Sequence, residues 1–250
     1  MIKKLNFDCR NGPAINNFNE LLKRPDLNKY NALLETSPTL AIRDNKLVYL
    51  KTLDVEENIT TYNWTAFSSL PDNVKVDANT SCAIFSFQGD LYLSVNKNTW
   101  VKKVRSISDP AFKNGIPLFP DLYSDTWEQS GNLPDDTYKS VVSFSTTQKI
   151  IVLNNNFKLN YLKSDKISTD SEWVELKSAN DNKTPTPTLI SIAYSNDLVG
   201  LDNRNQLHTI IINTENLTYK TLQIGEANDS TVISSNENRL VSVTRDQLQV

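Results

Sequence analysis

The chain has 250 residues, of which 38% are hydrophobic and 22% charged, with a formal net charge of -3 and a pI of about 5.3. This composition excludes global disorder, and the acidic balance argues against nucleic-acid binding, because domains that grip phosphates are usually basic. The two cysteines, Cys9 and Cys82, exclude a disulfide scaffold and a zinc ribbon and favour reduced thiols.

The chain is predicted to be an intracellular protein, cytoplasmic or nuclear, without a membrane span. Its start is basic, but no apolar run follows, so it does not resemble a signal peptide. No segment reaches the roughly 18 apolar residues that a membrane helix needs.

Two elements are predicted in the N-terminal region. Residues 1–9 contain Ile2 and Leu5 in an apolar-x-x-apolar spacing that predicts a strand. Residues 13–35 carry apolar side chains at helical intervals, interrupted by Pro25, and predict a short helical segment. That segment is expected to pack on one face or on the rim of the domain, either as a cover for strand edges or as a partner site.

A hairpin pattern then recurs five times along the chain. Each copy has a short apolar strand, turn-forming residues, a charged residue and then a pair of large apolar residues, which predicts the first two strands of a sheet. The first residues of these pairs are Leu47, Leu91, Ile150, Leu198 and Leu240. The intervals between them are roughly 44, 59, 48 and 42 residues, which is the range of β-propeller blades.

Further strands are predicted after each hairpin, and the outermost has an aromatic residue followed three positions later by an apolar one. These pairs are Trp64 with Phe67, Trp173 with Leu176, and Tyr219 with Leu222. The chain therefore resembles β-propeller repeat proteins in architecture, although it lacks the WD40 and kelch patterns.

This resemblance implies an all-β fold, a single propeller of about five blades over residues 1–250. The last copy lacks a fourth strand at the C-terminus, so the strand in residues 1–9 is expected to complete the last blade. The alternative is that the chain is a fragment of a longer propeller.

The long interval between Leu91 and Ile150 contains an inserted loop at residues 108–122, with three prolines and one glycine. Apolar side chains on such a loop either fold back on the domain or meet a partner. The candidate partner-binding residues are Phe112, Ile116, Leu118, Phe119, Leu122 and Tyr123.

No catalytic or metal-binding pattern emerges, so the chain is predicted not to be an enzyme and to need no cofactor. Its one histidine, His208, alternates with apolar residues on a predicted strand and has no nucleophile motif beside it. Three acidic residues, Asp44, Asp90 and Asp197, lie in or beside hairpin turns, a position explained better by the repeat than by glycosidase chemistry.

The favoured function is a non-enzymatic protein-interaction scaffold or adaptor subunit of a multiprotein complex. The alternative is a propeller lectin in which Trp64, Trp173 and Tyr219 occupy equivalent positions and stack on sugar rings. A glycoside hydrolase ranks third. The lectin requires those aromatic side chains to be exposed at rim pockets, whereas the scaffold requires them to be buried between blades.

Overall fold

A computed structural model describes residues 30–34, 40–56, 59–77, 80–105, 122–144, 149–180, 185–195, 197–226, 230–236, 239–244 and 248–249. Within these ranges every regular element is a β-strand, which confirms the all-β class. The strands form five sheets that follow one another along the chain.

The first two sheets are four-stranded antiparallel meanders in which chain order equals spatial order. The first sheet contains β1 (Tyr30–Leu34), β2 (Leu40–Arg43), β3 (Lys46–Glu56) and β4 (Ile59–Ser69). The second contains β5 (Cys82–Phe87), β6 (Asp90–Val95), β7 (Asn98–Lys102) and β8 (Glu128–Asn132).

The next two sheets repeat this order. The third contains β9 (Tyr138–Phe144), β10 (Lys149–Asn154), β11 (Leu159–Leu162) and β12 (Trp173–Glu175). The fourth contains β14 (Leu189–Ser195), β15 (Asp197–Asp202), β16 (Gln206–Asn213) and β17 (Thr218–Glu226), and the short β13 (Lys177–Ser178) pairs in parallel with β17.

The fifth sheet has three strands in the described residues: β18 (Ser230–Asn236), β19 (Arg239–Thr244) and β20 (Leu248–Gln249).

Tight turns join the strands because the turn residues tolerate a left-handed backbone. Asp44 and Asn45 have φ of 51° and 56°, as the two central residues of a type I′ hairpin require. Gln88 and Gly89 form the corresponding turn of the second sheet with φ of 54° and 85°. These turns keep successive strands antiparallel and adjacent.

The five sheets are stacked through their first strands. In the series β1, β5, β9, β14 and β18, each strand contacts the next. Apolar clusters fill the spaces between neighbouring sheets, such as the one that joins Phe85 and Tyr92 of the second sheet to Ile150 and Leu162 of the third. Consecutive four-stranded meanders stacked in this way are the architecture of a β-propeller, as the repeat predicted.

Part of the predicted helical segment at 13–35 is wrong. Residues Tyr30–Leu34 form strand β1, which pairs with β2 and contacts β5. Pairing within the first sheet overrides the helical spacing of these apolar residues. The rest of that segment, the strand at 1–9 and most of the loop at 108–122 lie outside the described residues.

The repeat is displaced by one strand in the first sheet. Leu91, Ile150 and Leu198 lie on the second strands of their sheets, as predicted, but Leu47 lies on the third strand, β3. The pattern of strand, tight turn and strand is the same for any two neighbouring strands of a meander, so it does not distinguish the first hairpin from the second. The first hairpin of the first sheet is instead formed by β1 and β2.

Candidate functional site

A polar cleft of about 670 Å³ lies between the second and third sheets. Its walls come from the connection between β8 and β9, the turn between β10 and β11, and strands β11 and β12. We call it the amide cleft because four asparagine residues lie in its lining. The side chains used below are Asn132, Asp135, Asn154, Asn160, Trp173 and Glu175.

The turn at one end of the cleft is organised by Asn154. Its Oδ1 accepts hydrogen bonds from the backbone N–H groups of Asn156 and Lys158, both at 3.0 Å. Phe157 between them takes a positive φ of 64°. The Nδ2 of Asn154 donates to Oδ2 of Asp135 at 2.8 Å, so the turn is tied to the connection between β8 and β9.

Asn160 lines the cleft, and its side-chain nitrogen is unsatisfied. It pairs with Val152 on one side and Glu175 on the other, so these side chains share the sheet face that looks toward the second sheet. The residue is 8% exposed, and its Nδ2 has no hydrogen-bond partner in the described part of the chain. A buried amide donor without an acceptor costs about 1–3 kcal/mol.

Trp173 forms part of the cleft wall. Its Nε1 donates to the backbone oxygen of Asn132 at 3.0 Å, which fixes the ring against the second sheet. The half-buried ring also packs on the apolar cluster that contains Leu162, its partner in the neighbouring strand. The ring therefore combines a rigid apolar surface with a polar surrounding.

Close backbone packing holds the second and third sheets together beside the cleft. A Cβ added to Gly131 of β8 would lie 2.3 to 2.5 Å from backbone atoms of Ser168 in the connection between β11 and β12. Only glycine admits this approach, because backbone cannot move aside as a flexible side chain can. Gly131 thus lets the second and third sheets meet beside the cleft.

The fourth sheet contains the same turn with a different outcome. Asp202 Oδ1 accepts from the N–H groups of Arg204 and Gln206 at 2.8 and 2.9 Å, and Asn205 takes a φ of 64°. His208 lies six residues after Asp202, just as Asn160 lies six residues after Asn154. Its Nε2 lies 3.0 Å from Asp202 Oδ2, so this buried position is satisfied within the sheet.

The Asp202 carboxylate is stabilised by these contacts. Burial opposes its ionisation, but the N–H of Gln206, the His208 ring and the N–H of Arg204 outweigh burial and hold the pKa of Asp202 below its ordinary value of 3.8. The pair is 8% and 3% exposed at its side chains, which makes it an internal structural contact.

A second organised feature is the stem at the base of the inserted loop, formed by residues 102–105 and 122–125. The backbone bonds run from Arg105 N to Leu122 O and from Ser124 N to Lys103 O, both at 2.8 Å. Asp90 joins the stem to the second sheet by accepting from Lys103 Nζ and from Val104 N.

Lys102 anchors this stem from inside the protein. The residue is 1% exposed, and its Nζ donates to the backbone oxygens of Ser124 and Asp125 at 2.9 and 2.5 Å. The ammonium also lies 5.7 Å from the ring centre of Phe67 and 5.2 Å from that of Trp127. Burial lowers the pKa of Lys102 below its ordinary value, partly offset by Asp125.

Two of the six candidate partner-binding residues lie in the described part of the chain. Leu122 and Tyr123 are half-buried at the stem, and Tyr123 packs on Phe67 and on the core between the first and second sheets. Tyr123 thus folds back on the domain. Phe112, Ile116, Leu118 and Phe119 lie outside the described residues, and their role stays a prediction.

The three candidate sugar-stacking aromatics occupy different environments. Trp64 is half-buried on β4, Trp173 lies in the amide cleft, and Tyr219 is 7% exposed in the core between the third and fourth sheets. Trp173 pairs with Leu162 in the third sheet, and Thr221 pairs with Ile210 in the fourth. Leu162 lies eight residues after the turn residue Asn154, and Ile210 lies eight residues after the turn residue Asp202. The position that corresponds to Trp173 is therefore Thr221. Trp173 and Tyr219 are therefore not equivalent, and the lectin alternative stays a prediction.

The three acidic candidates are separate surface or turn residues. Asp44 lies in a turn beside Arg43, and Asp197 is exposed at the start of β15. The Asp90 carboxylate accepts a hydrogen bond from Lys103 of the stem. Within the described ranges no group of three or more His, Cys, Asp or Glu residues is placed to hold a metal ion. Among the same residues, no helix has the length and apolarity to cross a membrane.

Sequence reasoning missed most of the amide cleft. Trp173 was found through its aromatic spacing, but Asn154, Asn160 and Asp135 looked like ordinary turn and strand residues. One signal was available: in "LNYL" an asparagine interrupts a strand whose four positions are all buried. An uncompensated amide at an inward position indicates either a hidden partner or a site.

No protein-family model matches the chain, and no curated protein sequence matches it. Similar solved structures include the Malassezia sympodialis allergen Mala s 1, which is 11% identical with a TM-score of 0.45, over 87% of this chain and 72% of that one. Kluyveromyces lactis Hsv2 is 10% identical with a TM-score of 0.41, over 86% and 64%.

The β-propeller domain of Myceliophteria thermophila Cps50 (Swd1) is 8% identical with a TM-score of 0.38, over 84% of this chain and 64% of that one. The chain thus spans less than two thirds of Hsv2 and of the Cps50 domain. The assignment of the propeller architecture rests on the order and stacking of the five sheets.

Proposed function

We propose that the chain is a non-enzymatic protein-interaction scaffold, an adaptor subunit of an intracellular multiprotein complex, and that the inserted loop carries the partner contact. The observation that supports this function is the stem. Two backbone hydrogen bonds, the Asp90 contacts and the buried Lys102 hold both ends of the insertion on the second sheet. Loops that bind partners are typically positioned by a rigid scaffold in this way.

The charge of the stem adds to this support. Lys103 pairs with Asp90 and Arg105 pairs with Asp125, both at 2.8 Å, and the hydrogen bond to Asp90 raises the pKa of Lys103 above its ordinary value. Exposed ion pairs add little stability singly, but here they flank a backbone ladder and fix where the loop leaves the domain. A fixed exit point lowers the entropy that a loop loses on binding.

The test is a pulldown with the purified chain as bait from lysate of its source organism, eluted first with mixed free sugars and then with salt. We expect a stoichiometric protein that survives the sugar wash and is released by salt. The double variant Phe112→Ser/Phe119→Ser should lose this protein. Phe157→Ser, which removes a 42% exposed phenylalanine from another turn, is the matched control and should retain it.

One result would contradict the role of the loop, and another the scaffold function itself. Equal capture by the double variant and by the wild type would remove the loop from the partner contact. Release of many glycosylated proteins by sugar, with none held through to the salt step, would favour the lectin instead. Circular dichroism of each variant confirms that the fold is retained.

We also propose that the propeller has five blades and that residues 1–9 add the outer strand of the fifth. The fifth sheet has three strands in the described residues, one fewer than a complete blade. Ile211, Leu222 and Ile224 are 57%, 62% and 53% exposed on the fourth sheet. Strand pairing puts them on the same face as Val199, which packs in the core toward the fifth sheet.

Deletion of residues 1–9 tests this closure. We expect the truncated chain to unfold at a midpoint several degrees lower, because the fifth sheet loses a strand and the apolar face beside it stays uncovered. An unchanged midpoint would show that the first nine residues are not part of the propeller.

A further inference from the structure

We infer that the amide cleft is a binding site for a neutral, polyhydroxylated ligand, and we assign carbohydrates as its chemical class. This inference goes beyond the scaffold function and differs from a lectin with one sugar site in each blade. It concerns one cleft between the second and third sheets, with Asn160 and Trp173 as its central residues.

The first observation that carries it is the buried amide of Asn160. The residue is 8% exposed, lines the cleft, and its Nδ2 has no acceptor in the described part of the chain. Native proteins satisfy nearly all such groups, so an orphaned donor beside a cleft indicates an acceptor that comes from outside the fold.

The fourth sheet shows that the fold does not require an open amide at this position. There the corresponding residue, His208, reaches Asp202 at 3.0 Å. In the third sheet the corresponding pair is Asn160 and Asn154, but Asn154 donates its Nδ2 to Asp135 instead. The third sheet thus leaves a buried donor without a partner at the position where the fourth sheet pairs its histidine.

The composition of the cleft selects the ligand class. Asn132 and Asn156 offer both donors and acceptors, and Ser168 and Thr169 add hydroxyl groups, which match the mixed donors and acceptors of sugar hydroxyls. Lys158 Nζ lies 2.8 Å from Glu175 Oε2, so the cation in the cleft is already paired. With Asp135 as the remaining carboxylate, the cleft has no excess positive charge for an anion.

Trp173 contributes the aromatic side chain in an otherwise mostly polar lining. Its ring is held by the bond to Asn132, so little side-chain freedom is lost when a ligand packs on it. The volume of about 670 Å³ lies within the roughly 300–1,000 Å³ of small-ligand pockets. A mostly polar lining with one fixed aromatic side chain fits a polyhydroxylated ligand better than an apolar one.

The test is a microarray of immobilised neutral and anionic glycans probed with the fluorescently labelled full chain, followed by calorimetric titration with each glycan that binds. We expect saturable binding to at least one neutral glycan. Asn160→Leu and Trp173→Leu should each weaken it at least tenfold, and Trp64→Leu, the same change at the other candidate tryptophan, should leave it unchanged. Asn160→Leu keeps the test valid if Trp173→Leu does not fold.

Several results would overturn the inference. They are the absence of saturable binding to any neutral glycan, binding to anionic glycans alone, and binding that Asn160→Leu leaves intact. Equal losses in Trp64→Leu and Trp173→Leu would also overturn it, because they would indicate a repeated aromatic site instead of one cleft. The scaffold function is tested separately through Phe112 and Phe119.

Discussion

The third and fourth sheets contain the same turn, but the polar side chains beside it are paired differently. In both, a side-chain oxygen at the first turn position accepts two backbone N–H groups and the fourth position has a φ of 64°. In the fourth sheet the remaining polar atoms, those of Asp202 and His208, bond to each other. In the third sheet the Nδ2 of Asn154 donates to Asp135, and the Nδ2 of Asn160 has no partner in the described residues.

This difference shows that one local structure can be either a stabilising contact or a binding surface. The turn itself is secured by the oxygen that aspartate and asparagine share. What differs is the second polar atom of the side chain: a carboxylate oxygen accepts from His208, whereas an amide nitrogen donates to an acceptor elsewhere. The identities at the turn and six positions later together decide whether that later residue has a partner inside the sheet.

The largest effect is expected when the closed pair is broken. Asp202→Ala removes three hydrogen bonds and leaves His208 buried without its partner, so we expect a loss of about 4 kcal/mol in the free energy of unfolding. Urea denaturation measures it. Asp202→Asn keeps the turn acceptor and is the control, with a smaller expected loss. Equal losses in both variants would show that the His208 contact, and not the turn, carries the stability.

The pH dependence of the closed pair follows from the pKa of Asp202. Because this pKa is lower in the folded than in the unfolded chain, its contribution is complete above the ordinary value and is lost as the pH falls through the folded value. The difference in unfolding free energy between wild type and Asp202→Asn should shrink as the pH falls from about 5 toward 2. A difference that does not change over this range would contradict the stabilised carboxylate.

Backbone packing beside the amide cleft can be compared with an open position on the fourth sheet. Gly131→Ala places a Cβ against backbone atoms of Ser168 and should cost about 2 kcal/mol through overpacking. Gly225→Ala is the matched control on the fourth strand of the fourth sheet, where an added Cβ meets no atom within 4 Å. Thermal unfolding measures both, and similar midpoints for the two variants would show that the second and third sheets separate without cost.

The smallest effect has the opposite sign. Asn160→Leu replaces an unsatisfied amide by an apolar side chain beside Val152 and Leu162, so we expect a gain of about 1 kcal/mol. His208→Leu, at the corresponding position, should lose about 2 kcal/mol because Asp202 then lacks its partner. Urea titrations of both variants compare them directly. A loss in both would mean that Asn160 has a structural role like that of His208.

Much of the fold was predictable because hairpins are local. Turn residues and strand alternation lie within about fifteen residues of each other, so the sheets around Leu91, Ile150 and Leu198 follow from the sequence. The strand β1 did not, because its apolar residues also fit a helix and only pairing with β2 decides between the two structures. The interchangeable hairpins of a meander explain why Leu47 was placed one strand too early.

The cleft was less predictable because it depends on contacts between sheets. The side chain of Asn154 bonds to Asp135 and not to Asn160. Asp135 belongs to the connection from the second sheet, so this contact could not be read from the third sheet's own sequence. Trp173 was found, but its supposed equivalence to Tyr219 was off by two residues, because the spacing within a strand does not reveal the register between strands.

The enclosure of Lys102 has a consequence for chemical labelling. The Lys102 ammonium group is held by two carbonyl oxygens near the rings of Phe67 and Trp127, in a residue that is 1% exposed. It is therefore beyond the reach of amine-specific reagents while the stem is closed. Lys102 should therefore react only when the stem opens locally, whereas Lys103 beside it reacts from the surface. The ratio of the two labelling rates, read by mass spectrometry, measures how often the base of the inserted loop comes apart.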